Sequence, residues 1–167
     1  MKIVIAICGM LIMLCGCSNM GAFETVMDVV PVTEVRPAGS IKLSLPEEAA
    51  VAVFENLVEG KIYLCEGYEI TVQTLEGGDL EKTMQEITGF SKDRLTVMET
   101  AQGELKRYDC VWSAMGEGEA QIGKTAILDD GVWHYAVSVM ADASKAELLQ
   151  EKWQELFRSF GVSHIAP

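Results

Sequence analysis

Few side chains in this chain could do chemistry. Imidazole occurs at His134 and His164 only, and a general base or a metal site would be sought there first. His134 falls in the alternating run Val132 to Met140, opposite the side bearing Trp133 and Tyr135, and reads as a half-exposed strand position. His164 lies in the last few residues. No HxxxH or CxxC pair offers metal-ligand spacing, so no metal ligand and no cofactor is expected. Asp129-Asp130-Gly131 could be a carboxylate pair for acid–base work. Asp and Gly are also what a tight turn demands, and the turn reading is preferred. Ser113, Ser138 and Ser159 have no GxSxG elbow around them. Gly116-Glu117-Gly118 lacks the Lys-Ser/Thr pair of a phosphate loop and carries the wrong charge. Carboxylates alone could still hold a divalent ion. Nothing aligns a nucleophile, a base and an oxyanion stabiliser, so the chain is read as a non-enzyme.

Thiols are the remaining reactive groups, five in all. Cys8, Cys15 and Cys17 sit at the N-terminus. There Met1-Lys2 precedes an apolar stretch from Ile3 to Leu14, the order of a secretory signal. The stretch is shorter than the roughly 18 residues that a spanning helix needs. It ends in Leu14-Cys15-Gly16-Cys17, which resembles the bacterial lipobox. That resemblance implies a diacylglyceryl group, with palmitate-type chains, on the Cys17 thiol and cleavage just before it. Cys17 is then the lipidation site and the mature N-terminus, and 1–16 is the signal peptide. Two or more acyl chains would give lasting attachment, because each buried methylene contributes about 0.8 kcal/mol. The implied location is the extracytoplasmic face of the cell membrane. Cys65 and Cys110 are the thiols left over. A secreted protein permits a disulfide between them, and each also lies beside aromatics on a strand face as a small apolar core side chain would. The residues leave both readings open.

Composition narrows the partners. The chain has 167 residues, 49% of them hydrophobic, and its net charge is −12. It can bury a core, and it lacks the basic stripe that nucleic acid requires. Cleavage before Cys17 removes one Lys and no acid. The acidic domain would then be repelled by an anionic membrane surface and stand off on its tether. Residues 17–40 read as that tether, with Pro31, Pro37 and Gly39-Ser40. Extended, it spans at most about 75 Å at roughly 3.3 Å per residue. Val26, Val29, Val30, Val32 and Val35 would suit an edge strand if part of it docks.

Residues 41–167 read as one folded domain. Ile41, Leu43 and Leu45 alternate as a short strand ending at Pro46. Glu47 to Val58 mixes Ala with Val and is read as a helical turn. Ile62 to Cys65 and Tyr68 to Leu75 form a hairpin around Glu66-Gly67. Asp79 caps a helix bearing Leu80, Met84 and Ile87, with Gly89 after it. A strand with Leu95 and Val97 follows, then a long one from Lys106 to Met115. Ile122 to Leu128 and Val132 to Met140 flank Asp130-Gly131 as a primed hairpin turn. That turn would place Leu128 opposite Trp133 and Ala126 opposite Tyr135. The last element is a helix opening on the capping box Ser144-Lys145-Ala146-Glu147. Leu149, Trp153, Leu156 and Phe160 form its apolar stripe.

Antiparallel strands closed by a helix ending in Trp153-Gln154-Glu155-Leu156-Phe157-Arg158-Ser159-Phe160 resemble the PsbP-like fold. The likeness covers roughly Ile41 to Val162. It implies an α+β class: a single antiparallel sheet with the C-terminal helix packed on one face. That fold hosts photosystem accessory and assembly proteins, mostly without catalysis, and fold alone does not assign function. The expected function is therefore a membrane-anchored lipoprotein acting as a non-catalytic interaction or assembly module. Its partners would be the membrane, through Cys17, and another envelope protein. A small-molecule binding lipoprotein is the alternative, and an envelope hydrolase the third.

Overall fold

The computed structural model describes residues 36–52, 60–115 and 118–163. In chain order the strands are β1 Ser40–Lys42, β2 Ala50–Val51, β3 Gly60–Cys65, β4 Tyr68–Glu76, β5 Thr96–Gln102, β6 Leu105–Met115, β7 Ala120–Asp129, β8 Trp133–Asp142 and β9 Gly161–Ser163. The helices are α1 Leu80–Thr88 and α2 Ala146–Ser159. Seven strands form one antiparallel sheet in the order β2-β3-β4-β8-β7-β6-β5, and β1 pairs with β9 in a separate ribbon. The strands around Cys110, Ala126 and Val137 are neighbours in that sheet, as the alternation predicts.

The central strands are buried on both sides because a helix covers each face. On one side Leu149, Trp153, Leu156 and Phe157 of α2, with Phe160, pack on Tyr68, Ile70, Ala126, Leu128, Tyr135, Val137 and Val139. On the other, Met84 of α1 seats among Tyr108, Cys110, Ile127 and Ala136. The apolar stripe of each helix thus matches the side of the sheet it meets. Both α1 signals hold. Asp79 Oδ1 accepts from the N–H groups of Glu81 and Lys82 at 3.0 and 3.1 Å, and Gly89 caps the C-terminus.

The β7–β8 hairpin corrects the expected register. Leu128 lies opposite Tyr135 and Ala126 opposite Val137, a shift of two residues. The central turn residues are Gly131 and Val132, not Asp130 and Gly131. Gly131 carries the positive φ, +84°, at the first central position, the II′ pattern. Asp130 instead holds the turn with its side chain, Oδ1 accepting from the N–H of Val132 (2.9 Å) and of Trp133 (2.8 Å). A two-residue shift leaves every side chain on its expected face, because the strand period is two.

The α2 capping box does not form. Ser144 lies inside a 3-10 turn, Ala143–Lys145, and the Ala146 N–H bonds to the Ala143 carbonyl instead. Of the stretch read as a helical turn, Pro46 to Ala49 makes one turn, with the Ala49 N–H donating to the Pro46 carbonyl at 3.1 Å. Ala50–Val51 then pairs as a strand with Leu64 and Tyr63, and 53–59 lies outside the described residues. The first strand is shorter than expected and ends at Lys42.

Candidate functional site

Arg36 to Gly39, at the end of the segment read as tether, are bonded to the β7–β8 turn. The Trp133 indole N–H donates to the Arg36 carbonyl at 2.6 Å. The Gly39 N–H donates to the Tyr135 hydroxyl at 2.8 Å, and that hydroxyl donates to Asp130 Oδ2 at 3.0 Å. The Arg36 guanidinium reaches the same oxygen at 2.5 Å, on a carboxylate only 2% exposed. Burial pushes the Asp130 carboxyl up. The N–H groups of Trp133 and Val132, the Tyr135 hydroxyl and Arg36 outweigh it and hold the carboxyl below its ordinary value. Asp130 is thus a structural acceptor. Sequence reasoning found it as a turn residue and missed Arg36, which has no local signal.

The second half of the supposed carboxylate pair, Asp129, points to the opposite face. Its Oδ1 accepts from the Gly131 N–H at 2.7 Å and lies 3.8 Å from His134 Nε2. His134 is not half-exposed: it is 1% exposed, covered by α1, with Thr83 Oγ1 2.8 Å from Nδ1. Burial lowers its pKa, and Asp129 and Asp130 only partly oppose this. The polar face of β8 is a covered face, and the alternation could not reveal that a second helix lies over it. Thr83 is the residue that sequence reasoning missed.

The serines are committed or isolated. Ser138 and Thr125 hydroxyls pair at 2.8 Å in the core. Ser159 accepts the Ser44 N–H and donates to the Leu156 carbonyl. Ser113 is exposed. Cys17 and His164, with Gly116 and Glu117, lie outside the described residues.

Cys65 and Cys110 are both free thiols in this structure, not the disulfide that the sequence leaves open. They lie on β3 and β6 with β4, β8 and β7 between them, about 19 Å at roughly 4.8 Å per strand. Their side chains also belong to opposite faces, Cys65 beside the α2 cluster and Cys110 beneath α1. Burial raises both pKa values, Cys110 to about 11, so neither is a ready thiolate.

A cleft of about 440 Å³ lies between the N-terminal half of α2 and β6–β7, lined by Val111, Ile122, Lys124, Gln150, Trp153 and Gln154 among others. The Trp153 indole N–H has no partner among the described residues. Met98, Val111 and Met115 leave exposed apolar surface on the same face. This size and lining suit a small, mostly apolar ligand. Below the cleft, Arg107 binds Asp109 in bidentate fashion (2.8 and 3.1 Å), donates to Gln102 Oε1 at 2.7 Å and donates to the Phe157 carbonyl at 3.3 Å. Gln102 Nε2 donates to the Phe160 carbonyl at 2.8 Å. This network fixes the C-terminal end of α2, where a cation is favoured by the helix dipole. Among the described residues no group of three or more His, Cys, Asp or Glu side chains is placed to hold a metal ion.

No protein-family profile and no curated protein matches the chain. Solved structures do. The cyanobacterial PsbP (CyanoP) of Synechocystis superposes with a TM-score of 0.56 at 8% identity, covering 78% of this chain and 96% of that one. A Bacteroides thetaiotaomicron protein gives 0.50 at 12% identity, covering 74% of this chain and 45% of that one, so the chain spans less than half of its length. LpqN, involved in cell envelope biogenesis of Mycobacterium tuberculosis, gives 0.48 at 12% identity, with coverage of 75% and 85%. At these identities the likeness speaks for architecture alone. The chain has an α+β, PsbP-like fold, an antiparallel sheet with its C-terminal helix laid on one face.

Proposed function

We propose that this chain is a membrane-anchored extracytoplasmic lipoprotein whose PsbP-like domain works as a non-catalytic interaction or assembly module. The observation that carries the reading is the N-terminal apolar run ending in Leu14-Cys15-Gly16-Cys17. What supports the non-catalytic half is how the reactive groups are committed. His134 is buried against Thr83, Asp130 holds a turn and a strap, and both domain thiols have raised pKa values. The strap at Arg36–Gly39 would give a tethered domain a fixed take-off point beside the β7–β8 turn. The net charge of −12 favours a cationic partner through steering that salt weakens.

Metabolic labelling with a fatty-acid probe tests the anchor. The wild type takes up label and fractionates with membranes. Cys17→Ala takes up none and leaves the membrane fraction or stalls as precursor. An unlabelled, fully soluble wild type defeats the reading. Pull-down from solubilised membranes at low and high salt tests the partner, with capture expected to fall as salt rises.

The cleft beside Trp153 favours a second reading, a small-molecule binding lipoprotein. Tryptophan fluorescence against a panel of apolar metabolites, compared between the wild type and Trp153→Phe, separates the two. A saturable, stoichiometric change belongs to a ligand carrier and not to a protein-docking module.

A further inference from the structure

His134 joins the sheet to the helix that covers it. The imidazole sits on β8 and is 1% exposed. Its Nδ1 meets Thr83 of α1 at 2.8 Å, and its Nε2 looks toward Asp129 of β7 at 3.8 Å. Met84, the next residue of α1, is fully buried among Tyr108, Cys110, Ile127 and Ala136. One polar contact and one apolar plug therefore seat the helix.

On balance the surroundings favour a neutral ring, burial outweighing the two nearby carboxylates. Asp129 is the nearest carboxylate, but its Oδ1 already accepts the Gly131 N–H at 2.7 Å. Asp130 is bonded to the turn and to Arg36. On the same face β6 brings Tyr108, buried, and Lys106, which lies opposite Asp129. β4 places apolar Leu75 opposite the imidazole. From α1 only Thr83 reaches it, and the charged residues Glu81, Lys82 and Glu86 are exposed or turned away from it. A proton on the ring makes both nitrogens donors in a dry site. Thr83 can accept one. The other faces the Asp129 carboxylate at 3.8 Å, too far for a hydrogen bond, so that ion pair only partly offsets burying the charge.

We infer that His134 is a pH-responsive latch for α1: the helix stays seated while the imidazole is neutral and lifts when the ring is protonated, uncovering the apolar floor around Cys110. The floor and the underside of α1, with Leu80, Met84 and Ile87, would together form a surface present only in acid. The sign follows from where protons bind. The seated ring is depressed below its ordinary value of 6.5 and an exposed ring is not, so falling pH favours the lifted state. The opening equilibrium should rise by up to about tenfold per pH unit below about 6.5, levelling once the seated ring also titrates. This inference stands apart from the anchor and holds whether or not Cys17 is lipidated.

Hydrogen exchange on the full chain tests it, with rates corrected for the intrinsic pH dependence, between about pH 7.5 and pH 5. The expected result is loss of protection at the α1 amides and none at α2. Pulsed alkylation gives a second readout, with Cys110 labelling rising in acid relative to Cys65. His134→Gln, neutral at every pH, should lose the response. Should that variant fail to fold, the imidazole resonance of the wild type decides. The inference is overturned if the ring titrates at or above 6.5, if α1 and α2 lose protection in parallel, or if the folded His134→Gln keeps the pH response.

Discussion

Asp130 does two jobs with one carboxylate. One oxygen closes the β7–β8 turn and the other receives Tyr135 and Arg36, which binds the strap. A side chain that is read locally as turn chemistry thus sets the path of residues almost a hundred positions earlier. Asp130→Asn keeps an acceptor of the same shape and removes the charge. Hydrogen bonds to a charged group contribute about 1.5–3 kcal/mol, so a loss in that range is expected in urea unfolding. The variant should also lose part of the acid sensitivity of the wild type. The carboxyl is held below 3.8 in the folded protein, so its contribution is present above that value and disappears as pH falls through the folded value. Equal acid midpoints for the two proteins would remove Asp130 from this role.

At the scale of elements, alternation and stripes made the sheet and both helices legible. Ile122, Ala126, Leu128, Tyr135, Val137 and Val139 fall on the expected face even though their pairing is shifted by two. Period decides the face, while turn geometry decides the register, and the Asp130 side chain moved the turn by one residue. His134 was misplaced for a related reason. A strand shows which side a residue takes but not whether something lies over that side. The Ser144 box failed because Ser144 lies inside a 3-10 turn that leads into the helix, and the N-cap position falls on Lys145 instead. Gly123 of β7 faces Trp112 of β6, and the indole lies over it. A Cβ at Gly123 would lie 2.1 Å from Trp112 Cζ2, inside the ring's contact surface. Gly123→Ala should cost about 1–3 kcal/mol or more, the usual range for overpacking. In a Trp112→Ala background the same change should be nearly neutral, since the clash has gone. Stability measured over that double-mutant cycle checks it, and additive costs would show the ring is not the obstacle.

Among the described residues the seven-stranded sheet keeps two cores apart. The sheet is one layer thick, and each helix closes one side of it, so residues on opposite faces never meet. This bears on the cysteines, where sequence alone left two answers. Both thiols lie beside aromatics, and an oxidising compartment permits a bond. Spacing along the chain says nothing about which face or which strand each will occupy. Strand order does: β3 and β6 are separated by three strands, and Cys65 and Cys110 belong to different clusters. A disulfide needs Cα atoms within about 7 Å, which this sheet forbids without dismantling β4, β7 or β8. Stability must therefore come from the two apolar cores and the hydrogen-bonded ladder, with no covalent staple between the two strands. Urea unfolding midpoints should be the same with and without reductant. Alkylation of the unreduced, denatured protein should modify both Cys65 and Cys110, as read by peptide mass. In the native protein at neutral pH, Cys65 should react well before Cys110, which is fully buried beneath α1. A reductant-sensitive midpoint, or a peptide linking the two cysteines, would mean that β3 and β6 are not held three strands apart.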